Sequence, residues 1–289
     1  FNKYYEDRQK LVNTFLEKRL EKKGISRVDE AMAYSLLAGG KRIRPIILMA
    51  TADALGVSGY NFLPVACGLE MIHTYSLIHD DLPCMDDDEY RRGRLTNHKV
   101  FGEAMALLAG DALLTLAFEV MLEQKNVPAE ALVETVREVA MCAGNFGMVG
   151  GQVIDLDSEG RQISEEELRK LHAGKTGALF IAAVRSGARL SGAASEELLA
   201  LTKFADLLGL AFQITDDILD VEGDAAQMGK AAHSDEKKHK STYVTLYTLE
   251  GAKALAQKTV DEALGCLEMF GENAEALREI TKMMCGRKS

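Results

Sequence analysis

The sequence predicts an all-α protein, and two observations support that fold class. The 289-residue chain contains only four prolines, and the long segments between them are rich in Ala, Leu, Met and Glu, which favour helix. Apolar residues recur with the 3.6-residue period of one helix face, as at Val12, Phe15, Leu16 and Leu20. We find no convincing alternating strand, hairpin pair or interdomain linker in the sequence. We therefore expect a single all-α domain over residues 1–289.

Capping residues and glycines mark where the individual helices begin and end. Ser164 opens a capping box ahead of an apolar run, and Ser195 opens the next run in a similar way. Gly192 and Gly271 stand where helices should stop. The predicted helices span residues 3–23, 27–38, 43–56, 61–82, 98–124, 128–157, 164–174, 176–189, 195–223, 235–270 and 273–286.

Bulk composition limits the possible function classes. Apolar residues make up 47% of the chain and charged residues 27%, the balance of an ordinary soluble globular protein. The net charge of −10 argues against nucleic acid as a partner, because binding to its phosphate backbone needs a basic face. We see no apolar run as long as a membrane span and no signal peptide, so we expect a cytoplasmic protein without stable membrane insertion. The five scattered cysteines fit reduced thiols.

Two acidic clusters stand out against this pattern, DDLPCMD at residues 80–86 and DDILD at residues 216–220. Each follows an otherwise apolar helical stretch. Carboxylates crowded at the end of an apolar helix repel one another and are costly to desolvate, so two such clusters predict a shared cation. Oxygen donors with no interleaved His or Cys pattern suit Mg²⁺ better than Zn²⁺, and a phosphate-rich ligand would bind behind the metal. One such cluster alone is usually only a solvated helix end.

The spacing within the two clusters predicts different local geometry. Asp216 and Asp220 are four residues apart, so they share one face of a regular helix. Asp80 and Asp86 are six residues apart, which separates them by roughly 120° around an ideal helix. They converge only if the helix is broken or bulged between them, and Pro83 supplies a physical reason for such a distortion.

Basic groups that could bind phosphate occur in compact local segments. GGKRIRP at residues 39–45 is a basic loop leading into a helix, and RRGR at residues 91–94 follows the first acidic cluster directly. Lys175 lies at a helix junction, and Lys230 follows the second acidic cluster. Arg and Lys are the usual partners of phosphate, although each of these residues taken singly would ordinarily be a solvated surface charge.

Together these segments resemble the signatures of the trans (E) short-chain polyprenyl diphosphate synthases. HTYSLIHDDLPCMDDD at residues 73–88, followed by RRG, is similar to the first aspartate-rich motif of that family. Residues 39–45, 110–114 (GDALL), 172–176 (HAGKT) and 212–220 (FQITDDILD) are similar to its other signatures, in the same order. The match runs from about residue 35 to about residue 245, and the bacterial farnesyl diphosphate synthases give the strongest resemblance.

The resemblance implies a helical bundle around a deep central cavity, commonly as a homodimer, with the two aspartate motifs holding Mg²⁺ across the cavity mouth. The metal ligands that it implies are Asp80, Asp81, Asp86, Asp216, Asp217 and Asp220. The residues that it implies for binding the diphosphate substrates are Lys41, Arg44, His73, Arg91, Arg92, Lys175, Thr176, Gln213, Lys230 and Lys240. The residues that it implies for catalysis are Asp80, Asp86, Lys175, Thr176, Gln213 and Asp216.

The implied reaction joins isopentenyl diphosphate to dimethylallyl or geranyl diphosphate through an allylic carbocation and gives farnesyl diphosphate. Tyr75 and Ser76 are the fifth and fourth residues before Asp80, about 7.5 and 6 Å along a helix axis. In the family, a bulky residue at the fifth position before the first aspartate forms the floor of the cavity, so Tyr75 favours a farnesyl product. The alternative is that Tyr75 is simply a core aromatic. The alternatives are a geranyl or geranylgeranyl synthase, a terpene cyclase, or a non-catalytic regulatory subunit of a prenyl synthase.

Overall fold

The prediction of an all-α fold is confirmed. The computed structural model describes residues 1–21, 26–223 and 241–286, and these ranges are built almost entirely of helices. The helices are α1 (Asn2–Leu20), α2 (Arg27–Leu36), α3 (Ile43–Ala54), α4 (Leu63–Asp80), α5 (Asn97–Phe101), α6 (Glu103–Leu122), α7 (Ala129–Ala143), α8 (Met148–Asp157), α9 (Glu165–His172), α10 (Ala178–Leu190), α11 (Ser195–Glu222), α12 (Tyr243–Gly265) and α13 (Glu275–Cys285). Short 3₁₀ turns at Gly59–Phe62 and Glu268–Ala274 precede α4 and α13.

Two long predicted helices are each divided in the structure. The prediction of one helix over residues 98–124 is wrong, because Gly102 adopts φ 89° and separates α5 from α6. The prediction over residues 128–157 is wrong in the same way, since Gly144 and Gly147 separate α7 from α8 with non-helical backbone angles. Glycine loses more backbone freedom in a helix than any other residue, so these positions are physically reasonable breaks.

Two helices predicted as separate are continuous in the structure. α9 passes into α10 through a π turn at Ala173–Gly177, in which the hydrogen-bonded ring holds one residue more than in an α-helix. Single π turns inside α-helices occur frequently at functional sites. This one carries Lys175 and Thr176, so the junction expected from the sequence is a local bulge rather than a break.

The expectation that the chain lacks a hairpin is wrong, because a minimal hairpin follows the first acidic cluster. Its strands β1 (Tyr90–Arg91) and β2 (Arg94–Leu95) pair antiparallel, with Arg91 opposite Arg94. Arg92 and Gly93 form the turn with φ values of 52° and 74°, as a two-residue type I′ turn requires. Strands of two residues are too short to give an alternating pattern in the sequence, which explains why the hairpin was not predicted.

The packing surrounds α4 with the other helices of the bundle. α4 packs mainly against α6, with α3 and α1 on its other sides, and its segment from Val65 to Ile72 is buried. A second, smaller apolar cluster joins α9, α11 and α12 through residues such as Leu171, Ile214 and Tyr243. Residues of both apolar clusters, such as Leu179 of the larger and Leu171 of the smaller, line one common cavity.

Two helices of the described chain, α6 and α11, are long and apolar enough to cross a membrane by length and composition alone. The sequence expectation that no run reaches that length is therefore too strict. The same criterion is met by core helices of folded bundles. Here α6 packs against α4 and α2, and α11 packs against α12 and α10.

Candidate active site

A large cavity of about 1470 Å³ opens between α4, α8, α10 and α11. Pockets for small ligands usually measure roughly 300–1,000 Å³, so this cavity has room for two substrates. We call the part lined by Asp80, Asp86 and Asp216 the acidic mouth, and the part lined by Lys41, Arg44, His73 and Arg92 the basic end. The sequence-predicted residues that line it are Lys41, Arg44, His73, Tyr75, Ser76, Asp80, Asp86, Arg91, Arg92, Lys175, Thr176, Gln213, Asp216 and Asp217. Lys230 and Lys240 lie outside the described residues.

The first acidic cluster reaches the cavity because α4 ends within it. α4 terminates at Asp80, ahead of Pro83, and the following turn folds back so that the backbone N–H of Asp86 donates to the carbonyl of Asp80 at 2.8 Å. The helix break expected between Asp80 and Asp86 is therefore present. Both side chains line the cavity on the same side, although they are six residues apart.

Burial and charge repulsion disfavour ionisation of the first carboxylate. The pKa of Asp80 is raised to about 6, chiefly by burial and also by the nearby carboxylate of Asp86, while Lys175 and Arg91 act in the opposite direction. A site in which carboxylates are desolvated and crowded favours binding of a cation. The donors are carboxylate oxygens, which suit a hard divalent ion.

Asp81, which was predicted as a metal ligand, faces a different way. Its side chain is 4% exposed and does not line the cavity. Arg91 holds both carboxylate oxygens, with its Nε 2.9 Å from each and its Nη2 2.6 Å from Oδ1. This fork geometry is the strong bidentate form of an Arg–carboxylate pair. The structure therefore binds Asp81 to Arg91 and does not present it to the cavity.

The second acidic cluster lies on an uninterrupted helix, as predicted. Asp216 and Gln213 line the cavity from α11. Asp217 also touches it, but the side chain is buried and its Oδ2 accepts the backbone N–H of Tyr243 at 2.8 Å, which links α11 to the start of α12. Asp220 is 2% exposed and does not line the cavity. Of the three predicted ligands on this helix, Asp216 is the one that is directed most openly into the cavity.

A further carboxylate of the cavity, Asp155 on α8, was missed by sequence reasoning. Its Oδ2 accepts a hydrogen bond from Nζ of Lys175 at 2.6 Å, and both residues line the cavity. α8 approaches the π turn so closely that a Cβ at Gly151 would lie 2.0 Å from the backbone nitrogen of Lys175. The signal in the sequence was the spacing of Gln152 and Asp155, which places an amide and a carboxylate on one helix face one turn apart.

The basic end of the cavity brings together four predicted residues. They are Lys41, Arg44, His73 and Arg92. Burial lowers the pKa of Arg44 to about 10, and its guanidinium lies 4.9 Å from the centre of the Phe180 ring. Burial, with Arg44 and then Arg92 nearby, also holds the pKa of His73 well below its usual value, so this imidazole is neutral at neutral pH.

The loop that precedes α3 is shaped to fit Arg92. The Nη1 of Arg92 donates to the carbonyl of Gly39, and a Cβ at Gly40 would meet the guanidinium carbon of Arg92 at 2.7 Å. Gly40 also has φ 125°, a conformation that residues with a side chain rarely adopt. Gln9 of α1 holds the same loop by donating from Nε2 to the carbonyl of Gly40 at 2.8 Å.

Tyr75 and Ser76 lie in the cavity wall below Asp80, on the helix that the sequence predicted. The Tyr75 residue is 7% exposed, and its ring packs edge-on against His79 with centroids 5.5 Å apart. The hydroxyl of Ser76 donates to the carbonyl of His73 at 2.8 Å. The aromatic ring therefore forms part of the cavity wall on α4, five residues before Asp80.

Comparison with known proteins identifies the family. The polyprenyl synthetase family model matches residues 25–284. This chain belongs to the polyprenyl synthetase family. A farnesyl diphosphate synthase from Geobacillus stearothermophilus is 45% identical over 98% of this polyprenyl synthetase and 97% of its own length.

Two further relatives of this polyprenyl synthetase are informative. A geranylgeranyl diphosphate synthase from Cyanophora paradoxa is 43% identical over 99% of the chain and 96% of its own length. The crystal structure of an FPP/GFPP synthase from Zymomonas mobilis superposes with a TM-score of 0.89 at 36% identity, covering 98% of each chain. Relatives named for different products thus have nearly the same similarity to this chain.

Proposed function

We propose that this polyprenyl synthetase condenses isopentenyl diphosphate with dimethylallyl and then geranyl diphosphate to give farnesyl diphosphate. The observation that supports this most directly is that one cavity presents two differently charged groups of side chains, the carboxylates of the acidic mouth and the cations of the basic end. A diphosphate with metal ions suits the first end, and a diphosphate without metal suits the second. Each relative described above at more than 40% identity is named as a synthase of prenyl diphosphates.

The residues of the acidic mouth fit Mg²⁺ by the chemistry of their donors. Asp80 and Asp86 from one wall and Asp216 from the other would hold the ion, with Asp81, Asp217 and Asp220 acting behind them. In the described part of the chain no three His, Cys, Asp or Glu side chains already lie close enough to form one metal site, so substrate oxygens would complete the coordination. Bound Mg²⁺ supplies Lewis-acid stabilisation of the departing diphosphate.

The chain itself supplies cations to the same leaving group. Lys175 and Arg91 line the mouth beside Asp80, where they would bind the allylic diphosphate and stabilise the negative charge that grows as the carbon–oxygen bond breaks. Thr176 and Gln213 place side-chain oxygens on the wall next to the carbon chain, where they would stabilise the allylic cation. Closure of this deep site around two substrates would exclude water, which would otherwise capture the cation.

The basic end would hold the second substrate in position for attack. Lys41, Arg44 and Arg92 would bind the diphosphate of isopentenyl diphosphate, with the neutral His73 as a hydrogen-bond donor. Holding the double bond close to the cation makes the carbon–carbon bond-forming step effectively intramolecular. The new bond leaves a tertiary cation, and loss of one proton to the released diphosphate gives the extended allylic product.

A homodimer is the assembly that the surface favours. α6 and α7 expose large apolar side chains that include Leu107, Leu108, Leu122, Val133 and Met141. Large exposed apolar side chains on two consecutive helices mark a candidate interaction site. We propose that these two helices pair with the same helices of a second copy in a soluble, cytoplasmic dimer.

The test is an assay of the purified chain with Mg²⁺, geranyl diphosphate and labelled isopentenyl diphosphate, with products separated by chain length. Farnesyl diphosphate as the main product is the expected result. Geranylgeranyl diphosphate as the main product would reassign the chain to the activity named for the Cyanophora relative. Absence of diphosphate release would favour a non-catalytic regulatory subunit, and a cyclised hydrocarbon would favour a cyclase.

A further inference from the structure

A buried carboxylate, Glu70, lines the basic end of the cavity, where neither proposed substrate needs an anion. It lies on α4 one turn before His73, and its side chain is 2% exposed. Its Oε1 accepts a hydrogen bond from Nη1 of Arg42 at 2.9 Å, and the Arg42 side chain is 1% exposed. A carboxylate beside a diphosphate pocket repels the ligand, so its presence there needs a physical reason.

The remaining donors of Arg42 reach two further elements. Its Nε donates to Oδ1 of Asn13 on α1 at 2.8 Å, and its Nη2 donates to the carbonyl of Leu36, the last residue of α2, at 2.7 Å. One guanidinium therefore joins α1, α2 and α4. The backbone of Arg42 has φ 51° and ψ 38°, a left-handed conformation that is disfavoured for a residue with a side chain. Such a conformation persists where the surroundings fix it, and these three hydrogen bonds do so.

The backbone fixed in this way carries two of the substrate-binding residues. Arg42 stands between Lys41 and Arg44, at the point where the loop turns into α3, and both neighbours line the cavity. The carbonyl of Lys41 accepts a hydrogen bond from the hydroxyl of Tyr5 on α1. The Nε of Arg44 is buried and has no hydrogen-bond partner among the described residues, which leaves it for a ligand.

Glu70 also offsets repulsion between neighbouring cations. Arg92 and Arg44 interact unfavourably with each other, whereas Glu70 interacts favourably with both guanidinium groups. Without that charge, three arginines around one pocket would be free to move apart or bind other anions.

We propose that Glu70 is a positioning residue for the isopentenyl diphosphate site. Acting through Arg42, it fixes the backbone that presents Lys41 and Arg44, and its charge holds the surrounding arginines in a binding arrangement. This role rests on the proposed function, because that function names the ligand of the basic end. In this role, Glu70 itself contacts neither substrate.

Substitution of Glu70 separates this role from a general effect on folding. Glu70→Gln keeps the shape and one acceptor but removes the charge. We expect the KM for isopentenyl diphosphate to rise about tenfold or more, while the KM for geranyl diphosphate and kcat change less than about threefold. Arg42→Lys should give the same pattern, because lysine lacks the guanidinium fork. The double variant should be no worse than the more impaired single variant, since both changes break one interaction.

Glu138→Gln is the matched control. Glu138 on α7 accepts hydrogen bonds from Arg185 and from Arg189 (3.0 Å) on α10, outside the cavity. Its substitution removes an ion pair of the same chemistry, and both KM values should stay unchanged.

Calorimetric titration with isopentenyl diphosphate and Mg²⁺ tests the site without turnover. The wild-type chain should bind it, and Glu70→Gln should bind about tenfold more weakly. Equal affinity in the two proteins would overturn the role of Glu70, as would a parallel rise in both KM values with a lower melting temperature. A wild-type chain that binds isopentenyl diphosphate but condenses nothing would instead refute the proposed function.

Discussion

The acidic mouth and the basic end of the cavity differ in how their charge is balanced inside the protein. At the basic end, the buried Glu70 bonds Arg42 and lies among the arginines that would bind a diphosphate. At the mouth, Asp80 and Asp86 crowd each other, and burial raises the pKa of Asp80 despite the nearby Lys175. The basic end is therefore arranged in advance for an anion, whereas the mouth keeps an excess of negative charge that only a cation from solution can neutralise.

The largest expected effect comes from removing the carboxylate of Asp216, the residue of the second acidic cluster that opens most directly into the cavity. Asp216→Asn should lower kcat by about 10³-fold, because it weakens metal-assisted departure of the diphosphate. Initial rates at saturating Mg²⁺ and both substrates measure this. Asp206→Asn, an exposed position on the same helix, is the control and should leave the rate unchanged. A loss of less than about tenfold for Asp216→Asn would contradict the inference that the acidic mouth acts through a bound cation.

A smaller effect is expected at Asp81, and it distinguishes a role in holding Arg91 from a role as a metal ligand. If Asp81 holds Arg91, Asp81→Asn should raise the KM for the allylic diphosphate by about tenfold without changing the Mg²⁺ concentration that gives half-maximal activity. Mg²⁺ titrations of activity at several substrate concentrations measure both quantities. The matched control is Asp87→Asn, since Asp87 is exposed and does not line the cavity. A higher Mg²⁺ requirement in Asp81→Asn would restore the metal-ligand role expected from the sequence.

Product length should change with little effect on rate when the cavity floor is opened. Tyr75→Ala removes the ring that packs on His79, so we expect the main product to lengthen from fifteen to twenty carbons. Chromatography of labelled products gives the distribution. Tyr75→Phe keeps the ring and should keep the farnesyl product. An unchanged distribution in Tyr75→Ala would show that Tyr75 is only a core aromatic.

The smallest expected effect is on stability in the absence of metal. Because the pKa of Asp80 is about 6 in the fold and about 4 in the unfolded chain, the folded state holds more protons between these values. The free energy of unfolding of the metal-free protein should therefore fall as the pH rises from about 4 to 6, by roughly 1–2 kcal/mol after solvent screening. Urea unfolding at several pH values across this range measures how the free energy of unfolding changes with pH. Asp80→Asn should flatten it, and an unchanged slope in that variant would assign the effect to other groups.

Residues predicted correctly as part of the cavity wall are those whose role follows from local spacing. Asp80 and Asp86 could be paired from the sequence because Pro83 predicts a helix break, and Asp216 could be placed because its helix is regular. Neither inference needs knowledge of distant contacts. The all-α class is likewise fixed by periodicity, which is a local property of the chain.

Residues that the sequence did not reveal depend on contacts between distant segments. The pair of Arg42 and Glu70 is separated by 28 positions, and the pair of Lys175 and Asp155 by 20. The bonding of Asp81 to Arg91 depends on a hairpin whose strands are two residues long. Charge type and spacing alone cannot show which carboxylate faces a ligand and which anchors a neighbouring cation.

The π turn at Ala173–Gly177 makes the length of this segment critical. It contains one residue more than an α-helical turn, and each residue rotates a helix by about 100°. Deleting one residue there would remove the bulge and give a regular helix in which α9 and α10 keep their relative phase, so Leu179 and Phe180 would stay buried. Lys175 and Thr176, which lie within the turn, would lose the widened backbone that directs them into the cavity. The extra residue thus orients the binding side chains without disturbing the packing of the helices on either side.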